Sequence, residues 1–284
     1  MFNKLTIIGP GLLGASLAQA ARDRRLADTI SIWARRAESR LACEEADWCD
    51  SVHASVREAV EGADCVILAT PVNSIIDLLE EAGSALAPGA LVSDVGSTKS
   101  LICRAGKTHV RLPSLFIGSH PMAGSEKTGL ENADKDLFEG RTCFITPFED
   151  PPAERVDSLA RLWKRLGMQV QTVNPELHDE IVAHISHLPH VLAAVLCAYL
   201  QSKPEDWRNY AGPGLRDTTR IAAGSPPLWL SIIEQNREEI LRSIQGLQDE
   251  LHRLERALHN GNEFGILSVL ERGKFYRDKL TPGS

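Results

Sequence analysis

Short apolar runs alternate with longer amphipathic stretches through the first half of this chain. The runs are rich in Val, Ile and Leu and are four to six residues long, which is typical of buried β-strands. They predict strands at Leu5–Ile8, Thr29–Trp33, Cys65–Thr70, Leu91–Val95, Leu115–Gly118, Cys143–Thr146 and Gln169–Val173. The stretches between them are long enough for crossover helices. The pattern therefore predicts a doubly wound, mostly parallel α/β sheet whose ligands bind at the carboxyl ends of its strands.

The alternation stops near Asn174, where a helix start is predicted. Asn174 is a favourable N-cap and Pro175 suits the first helical position. Three acidic residues at the positive end of the helix dipole support this: Glu176, Asp179 and Glu180. No strand pattern recurs beyond this point, so we expect an α/β domain over residues 1–174 and an all-α domain over residues 175–284.

A long apolar stripe follows Pro226 and Pro227 in the predicted helical domain. Its members recur at alternating spacings of four and three: Ile240, Ile244, Leu247, Leu251, Leu254 and Leu258. Such spacing is typical of a coiled-coil-like seam. The stripe is either covered within its own domain or completed by a second protomer. Its length in so small a domain favours a homodimer.

The composition is that of a soluble globular protein, because 43% of the residues are hydrophobic and the formal net charge is −7. The arginines are scattered among acidic residues, which argues against nucleic-acid binding. No apolar run approaches the roughly 20 residues of a membrane helix, and the chain starts directly with a strand pattern rather than a secretory leader. We therefore expect a cytoplasmic protein that binds neither nucleic acid nor a membrane.

Six cysteines lie at wide, irregular intervals without a Cys-x-x-Cys pair. This spacing argues against a zinc knuckle and against a disulfide framework. We expect buried, reduced thiols.

A glycine-rich turn follows the first predicted strand and opens a helical pattern. The turn reads Gly9, Pro10, Gly11, Leu12, Leu13 and Gly14. In such a fingerprint the first glycine allows a tight turn, the second lets the backbone approach a pyrophosphate, and the third lets helix and strand pack closely. Its place between strand and helix predicts a Rossmann-like dinucleotide site rather than a merely structural turn. Thr70 and Pro71, at the end of another predicted strand, are expected to contribute to it.

The residues after the second predicted strand bear on which dinucleotide binds. An NAD site usually offers Asp or Glu there to the ribose hydroxyls. This chain instead has Arg35 and Arg36, and its first carboxylate is at Glu38. Two guanidinium groups suit the extra ribose phosphate of NADP. The arginines therefore favour NADP over NAD, unless they are simply solvated.

Four segments carry hydrogen-bonding groups in otherwise small or apolar surroundings. They read DVGSTK at Asp94–Lys99, GSHPMAGSE at Gly118–Glu126, HISHLPH at His184–His190 and GLRDTTRIA at Gly214–Ala222. In this combination and order, after GPGLLG, they closely resemble the prephenate and arogenate dehydrogenases of tyrosine biosynthesis. The resemblance covers nearly the whole chain. It implies a dinucleotide-binding domain followed by a helical domain for substrate binding and dimerisation.

The resemblance implies that His120 is the catalytic base. Hydride leaves ring carbon 4 of the substrate for the nicotinamide, the histidine accepts the proton of the hydroxyl on that carbon, and loss of carbon dioxide makes the ring aromatic. A neutral imidazole in a glycine-rich turn is suited to this role, because it exchanges a proton near neutral pH. Ser97 matches the family serine between nicotinamide and substrate hydroxyl. It is also a candidate N-cap of the helix that follows.

Three histidines spaced by three, His184, His187 and His190, suggest a metal site as an alternative. Pro189 distorts the helix that would have to align them, and no nearby carboxylate completes a ligand set. In the family that the chain resembles, the SHLPH histidines contact substrate. We therefore expect His187 and His190 in the substrate pocket, a structural role for His184, and no metal.

The resemblance also implies that Arg220 holds a substrate carboxylate, which a guanidinium can bind through two parallel hydrogen bonds. Arg216 and Asp217 are close in sequence, so a local ion-pair network is the alternative. Further substrate-site roles are implied for Ser125, Glu126 and Trp229. The glutamate would belong to an ionic gate over the pocket, and the tryptophan would lie near the pocket wall.

We therefore expect a homodimeric, NADP-preferring dehydrogenase that converts prephenate to 4-hydroxyphenylpyruvate. A Glu126 engaged with Arg220 is not available for the ammonium of arogenate, which favours prephenate. The alternatives are an arogenate dehydrogenase that makes tyrosine directly, another dehydrogenase of the same superfamily, and a sensor that binds NADP without chemistry. Hydroxyacid dehydrogenases usually rely on a lysine in the helical domain, and no lysine lies between Gln169 and Gln201. His120, Ser97 and Arg220 together argue against a sensor.

Overall fold

The computed structural model describes residues 2–124 and 127–280, and its first half forms a six-stranded sheet. The strands are β1 (Phe2–Ile8), β2 (Ala27–Trp33), β3 (Ser51–His53), β4 (Cys65–Leu68), β5 (Leu91–Asp94) and β6 (Leu115–Phe116). Their order is β3-β2-β1-β4-β5-β6, and every neighbouring pair is parallel. The predicted parallel α/β sheet is confirmed. The sequence pattern does not predict β3, whose three residues are too few to show a periodicity.

Five helices connect these strands and cover both faces of the sheet. They are α1 (Leu12–Asp23), α2 (Ala37–Glu44), α3 (Val56–Val60), α4 (Val72–Gly83) and α5 (Ser100–His109). Successive residues of β1 belong to opposite faces: Ile7 lies in one apolar cluster and Ile8 in the other. This two-sided burial explains why the strands read as continuous apolar runs. The expectation of buried thiols holds for four of the six cysteines, whereas Cys49 is half-buried and Cys197 is exposed.

The last predicted strands form a separate sheet instead of extending the first. Its members are β7 (Gly118–Pro121), β8 (Thr142–Thr146) and β9 (Gln169–Thr172), and helix α6 (Ala153–Arg165) joins the last two. The β7–β8 pair is antiparallel and the β8–β9 pair is parallel. The expectation of one continuous sheet is therefore wrong from residue 118 onward. His120, expected in a turn, lies in a strand opposite Phe144.

Beside two 3₁₀ turns, Glu205–Tyr210 and Arg220–Ala223, helices make up most of the rest of the described chain. They are α7 (Pro175–Val182), a π-helical turn (Ala183–His187), α8 (Leu188–Gln201), α9 (Pro213–Thr219), α10 (Pro226–Gln235), α11 (Arg237–His259) and α12 (Glu263–Lys279). The π turn ends two residues before Pro189, which lies in the first turn of α8 and lacks the backbone hydrogen that a regular helix needs. The helical region predicted after Pro226 consists of two helices, α10 and α11, which are divided at Asn236.

The chain forms two compact units, and each consists of two separate segments of the sequence. One comprises the chain up to Asp179 together with Ala223–Gln235, and the other comprises Glu180–Ala222 together with the chain from Asn236 onward. Helix α10 thus belongs to the α/β unit, where Ile232 is buried and Trp229 packs against its apolar cluster. The two-domain division at residue 174 stays a prediction.

Among residues 2–124 and 127–280, one helical stretch, the 27 residues Pro175–Gln201, is long and apolar enough to cross a membrane by length and composition alone, with an 18-residue window of mean hydropathy 1.7. The expectation that no apolar run approaches this length overlooked it, because histidines interrupt the run. Such a stretch is weak evidence for a membrane, since core and interface helices have the same composition.

Candidate active site

Three loops meet at the carboxyl ends of adjacent strands in the parallel sheet. They follow β1, β2 and β4, which are neighbours in the sheet order. The peptide nitrogen of Gly9 donates to the carbonyl of Trp33 at 3.0 Å, and that of Ala69 donates to the carbonyl of Ile8 at 2.8 Å. These bonds hold the predicted fingerprint beside Thr70 and Pro71, at the edge where parallel sheets bind ligands.

The glycines of the fingerprint satisfy the steric demands of a dinucleotide turn. Gly9 has φ of +103°, and a Cβ there would lie 2.6 Å from Cγ2 of Thr70. A Cβ on Gly14 would lie 2.0 Å from the carbonyl oxygen of Gly9. A Cβ on Gly11 would meet nothing within 4 Å, so the backbone there is open to a ligand.

Two polar groups near this turn are suited to a phosphate or ribose. Oγ1 of Thr70 is buried and has no hydrogen-bond partner among the described atoms. Helix α1 begins at Leu12 after Gly11, and no side chain caps it. A helix start of this kind presents peptide hydrogens to an anion. The residues present therefore fit the dinucleotide that the fingerprint predicts.

Arg35 and Arg36 follow β2, and both side chains are exposed. Arg36 is the N-cap residue of α2, and the first acidic residue of that helix is Glu38. A third arginine shapes the loop, because Nη1 of Arg40 donates to the carbonyls of Ala34 at 3.0 Å and of Arg35 at 2.8 Å. No carboxylate occupies the position directly after β2, where an NAD site usually has one.

His120 is the first member of a buried row of hydrogen-bonded side chains. Its Nδ1 lies 2.9 Å from Nε2 of His178, and Nδ1 of His178 lies 2.8 Å from Oδ1 of Asp179. The two imidazole rings meet edge to face with centroids 5.1 Å apart, and the ring of Phe144 lies edge-on to His178 at 5.3 Å. Sequence reasoning missed His178 and Asp179, because 58 residues separate His120 from His178.

Asp179 also holds the start of helix α5, which follows the loop that contains Ser97. Its Oδ1 accepts the peptide hydrogen of Lys99 at 2.7 Å and its Oδ2 that of Ser100 at 2.9 Å. The N-cap residue of α5 is Lys99. The alternative of Ser97 as N-cap is therefore wrong, because the carboxylate of Asp179 accepts the peptide hydrogens at the start of α5. Ser97 itself is half-buried in the loop.

The pKa directions agree with an ionised Asp179 beside a neutral His178. Burial lowers the pKa of His178, although the hydrogen bond to Asp179 acts in the opposite sense. For Asp179, burial acts to raise the pKa, but the hydrogen bonds from His178 and Ser100 outweigh it and the pKa is lowered. His178 therefore stays neutral near pH 7.

A buried ion pair fixes the strand residue that precedes His120. Nζ of Lys99 donates to a carboxylate oxygen of Asp94 and, at 2.9 Å, to the carbonyl of Ser119. Asp94 in turn accepts the peptide hydrogen of Ser119 at 3.2 Å. Neither side chain of the pair is accessible to solvent. Burial raises the pKa of Asp94, and the Lys99 ammonium opposes that rise.

The predicted substrate residues of the helical unit differ in burial. His187 and His190 are buried, whereas His184 and Arg220 are exposed. Nδ2 of Asn236 donates to Nδ1 of His187 at 3.1 Å, which places the hydrogen of the neutral ring on Nε2. Burial lowers the pKa of His190. No cluster of metal-binding side chains occurs among residues 2–124 and 127–280.

The remaining predicted substrate residues are Trp229, Ser125 and Glu126. Trp229 is half-buried in α10, within the α/β unit. Ser125 and Glu126 lie outside the described residues.

Two family models match consecutive parts of this chain. One is described as prephenate dehydrogenase, nucleotide-binding domain, and matches residues 17–172. The other is described as prephenate dehydrogenase, dimerization domain, and matches residues 174–272. A prephenate dehydrogenase of Bacillus subtilis is 30% identical over 284 residues, which cover 99% of this chain and 76% of the relative.

Solved structures of similar proteins span the whole chain. Prephenate dehydrogenase of Aquifex aeolicus, in complex with hydroxyphenyl propionate and NAD+, has a TM-score of 0.92 at 29% identity and covers 99% of both chains. Synechocystis arogenate dehydrogenase has a TM-score of 0.85 at 30% identity, covering 98% of this chain and 100% of the other.

Proposed function

This chain belongs to the prephenate dehydrogenase family, and from that premise we propose that it converts prephenate to 4-hydroxyphenylpyruvate and carbon dioxide. The observation that carries the proposal is the consecutive match of both family domains over residues 17–172 and 174–272. The chain is thus an NAD(P)-dependent oxidoreductase of tyrosine biosynthesis. As a biosynthetic enzyme of this family it would work in the cytoplasm.

His120 is the proposed base, with Ser97 beside the reacting hydroxyl. A bound nicotinamide would supply the hydride acceptor for ring carbon 4. His120 takes the proton of the hydroxyl on that carbon as the carbonyl forms. When the carboxylate leaves as carbon dioxide, its electron pair enters the ring and the oxygen becomes a phenolate, to which His120 can return the proton. A base held this way contributes about 10²–10⁴ in rate.

The proposed cofactor site is the fingerprint turn together with Thr70 and Pro71, and the proposed preference is for NADP. The exposed guanidinium groups of Arg35 and Arg36 support this preference, since no carboxylate directly follows β2. The Aquifex relative binds NAD+, so the preference needs a direct test on this chain.

The proposed substrate residues are His187, His190 and Arg220, with contributions from Ser125, Glu126 and Trp229. Nε2 of His187 carries a hydrogen and so can donate to a carboxylate or keto oxygen. Arg220 provides the fixed cation that a dianion needs. An arogenate dehydrogenase among the similar structures favours arogenate as the second candidate substrate.

We also propose a homodimer. Residues 174–272 match a family domain described as a dimerization domain. Large apolar side chains of α11 and α12 are exposed, among them Leu251 at 55%, Leu258 at 59% and Leu270 at 61%. Exposed apolar area of this kind is typical of an interface.

The experiment is a set of steady-state rates with prephenate and with arogenate, each with NAD and with NADP, followed through the absorbance of the reduced nicotinamide. We expect the highest kcat/KM with prephenate and NADP. A kcat/KM at least about tenfold higher with arogenate, a difference of about 1.4 kcal/mol, would overturn the substrate assignment. No reduction with either substrate would overturn the function.

A further inference from the structure

We propose that His178 and Asp179 are positioning residues for His120, holding its neutral ring in the tautomer whose lone pair is on Nε2. The inference deepens the proposed function, because it rests on His120 as the base. It follows from the buried row in which Nδ1 of His120 meets Nε2 of His178 at 2.9 Å and Nδ1 of His178 meets Asp179 at 2.8 Å.

The direction of every hydrogen bond in the row is set from the Asp179 end. The carboxylate accepts the peptide hydrogens of Lys99 and Ser100, so it presents only acceptors. Nδ1 of His178 must therefore donate to it. Because the neutral ring has one hydrogen, Nε2 of His178 is an acceptor, and Nδ1 of His120 must carry the hydrogen. The lone pair of neutral His120 then lies on Nε2.

The row orients His120 and does not carry its proton away. The charged groups that act on the pKa of His178 are Asp179, Lys99 and Asp94. Burial is the largest influence on the pKa of His178 and lowers it, so the ring resists a second proton. A protonated His178 would also place an N–H against the N–H of His120. The proton taken from substrate therefore stays on His120 until it is returned.

Packing prevents the imidazole ring of His178 from flipping. His178 is fully buried, and the rings of His120 and Phe144 lie edge-on to it with centroids 5.1 Å and 5.3 Å away. A flip would break both hydrogen bonds of the row without water to replace them. In the Ser-His-Asp arrangement of serine proteases, exchanging the carboxylate for an amide gives the wrong tautomer and lowers kcat by about 10⁴.

The test compares three substitutions. In Asp179→Asn an amide nitrogen replaces one of the two oxygens that accept hydrogens from Lys99, Ser100 and His178, so the hold on the His178 ring is weakened. We expect kcat to fall by about 10²–10⁴ with nucleotide affinity unchanged. His178→Phe keeps a buried ring but removes the acceptor, and should lower kcat by a similar factor. His178→Gln returns an acceptor oxygen to His120 and should recover most of the turnover.

Two controls separate positioning from stability. His178→Phe leaves the capping bonds of Asp179 to α5 in place, so it tests the row even if Asp179→Asn folds poorly. Leu159→Ala, in the core of α6, lowers stability without touching the row. The acidic limb of the kcat/KM profile should move to lower pH in His178→Phe, because the lost acceptor stabilised the imidazolium. It should not move in Leu159→Ala.

A nitrogen-15 spectrum of the histidine rings gives a readout that needs no substrate. The His120 resonances are assigned by their loss in His120→Asn. We expect the hydrogen on Nδ1 in the native protein and a loss of that preference in His178→Phe, which removes the acceptor for Nδ1. The proposal is overturned if native His120 carries its hydrogen on Nε2, or if His178→Phe keeps native kcat and an unmoved pH profile. A native protein inactive on prephenate, with the expected tautomer, would instead refute the proposed function alone.

Discussion

Lys99→Met removes the positive member of a buried ion pair and should cost about 3–5 kcal/mol of unfolding free energy. Both side chains of the pair are inaccessible to solvent, so water cannot replace the ammonium beside Asp94. The remaining donors to Asp94 are the peptide hydrogens of Gly96 and Ser119. The carbonyl of Ser119 also loses its Lys99 donor. The cost arises mainly from a carboxylate left buried without its counter-charge.

This cost should grow with pH. Burial raises the pKa of Asp94 above its ordinary 3.8, and removing Lys99 removes the main opposing charge. A carboxyl group with a raised folded-state pKa is favoured in its protonated form. Its stabilising contribution is therefore present below the unfolded pKa and is lost as pH rises through the folded pKa. The deficit of Lys99→Met should be smaller at about pH 5 than at about pH 8.

Urea unfolding followed by tryptophan fluorescence at both pH values measures this deficit. The matched control is Lys135→Met, because Lys135 pairs with Asp23 at 3.1 Å on the exposed surface. That change should cost far less than Lys99→Met, with no growth toward high pH, because water screens an exposed ion pair. Adding Asp94→Asn to Lys99→Met should recover part of the loss by removing the buried charge. A Lys99→Met deficit no larger than that of Lys135→Met at about pH 8 would refute the reasoning.

The other predictions concern chemistry, cofactor choice and assembly. His120→Asn should lower kcat by about 10²–10⁴ while nucleotide affinity, measured by fluorescence titration, is kept; unchanged turnover would contradict the base assignment. Arg35→Ala with Arg36→Ala should weaken NADP binding far more than NAD binding in a titration, and equal losses would contradict the NADP preference. Leu247→Glu or Leu251→Glu should reduce the mass seen by light scattering from two chains to one or destabilise the fold, whereas an active native monomer would contradict the homodimer.

Local patterns predicted the α/β half well, because strands buried on both faces read as apolar runs. The fingerprint turn could also be predicted from the sequence, because its steric requirements are local. The second sheet could not be read this way. The 20 residues between β7 and β8, from 122 to 141, have a sequence that predicts neither a strand nor a helix, so nothing local indicates the antiparallel pairing. His120 was thus recognised as chemically important but placed in the wrong kind of backbone.

His178 and Asp179 were not predicted as site residues, because their hydrogen-bond partners are distant in sequence. Asp179 was interpreted as a favourable charge for its own helix, whereas it binds the start of α5, 79 residues earlier. His178 adjoins it without any motif of its own. Helical periodicity likewise placed α10 with the helices around it, although periodicity does not tell which unit a helix packs against. Hydrogen bonds from Thr98 and Asn73 to Gln235 and Ser231 attach α10 to the α/β unit.

The return of α10 to the α/β unit has a consequence for dissecting this protein. A nucleotide-binding fragment that ended at residue 174 would lack Ala223–Gln235, which belongs to the same compact unit. The apolar surface that Ile232 and Trp229 cover would then be open to water. Such a fragment would need α10 restored, as an added peptide or by fusion through a short linker, before it could represent the unit as it exists in the whole chain. The order of segments along the sequence therefore differs from their grouping into compact units in this enzyme.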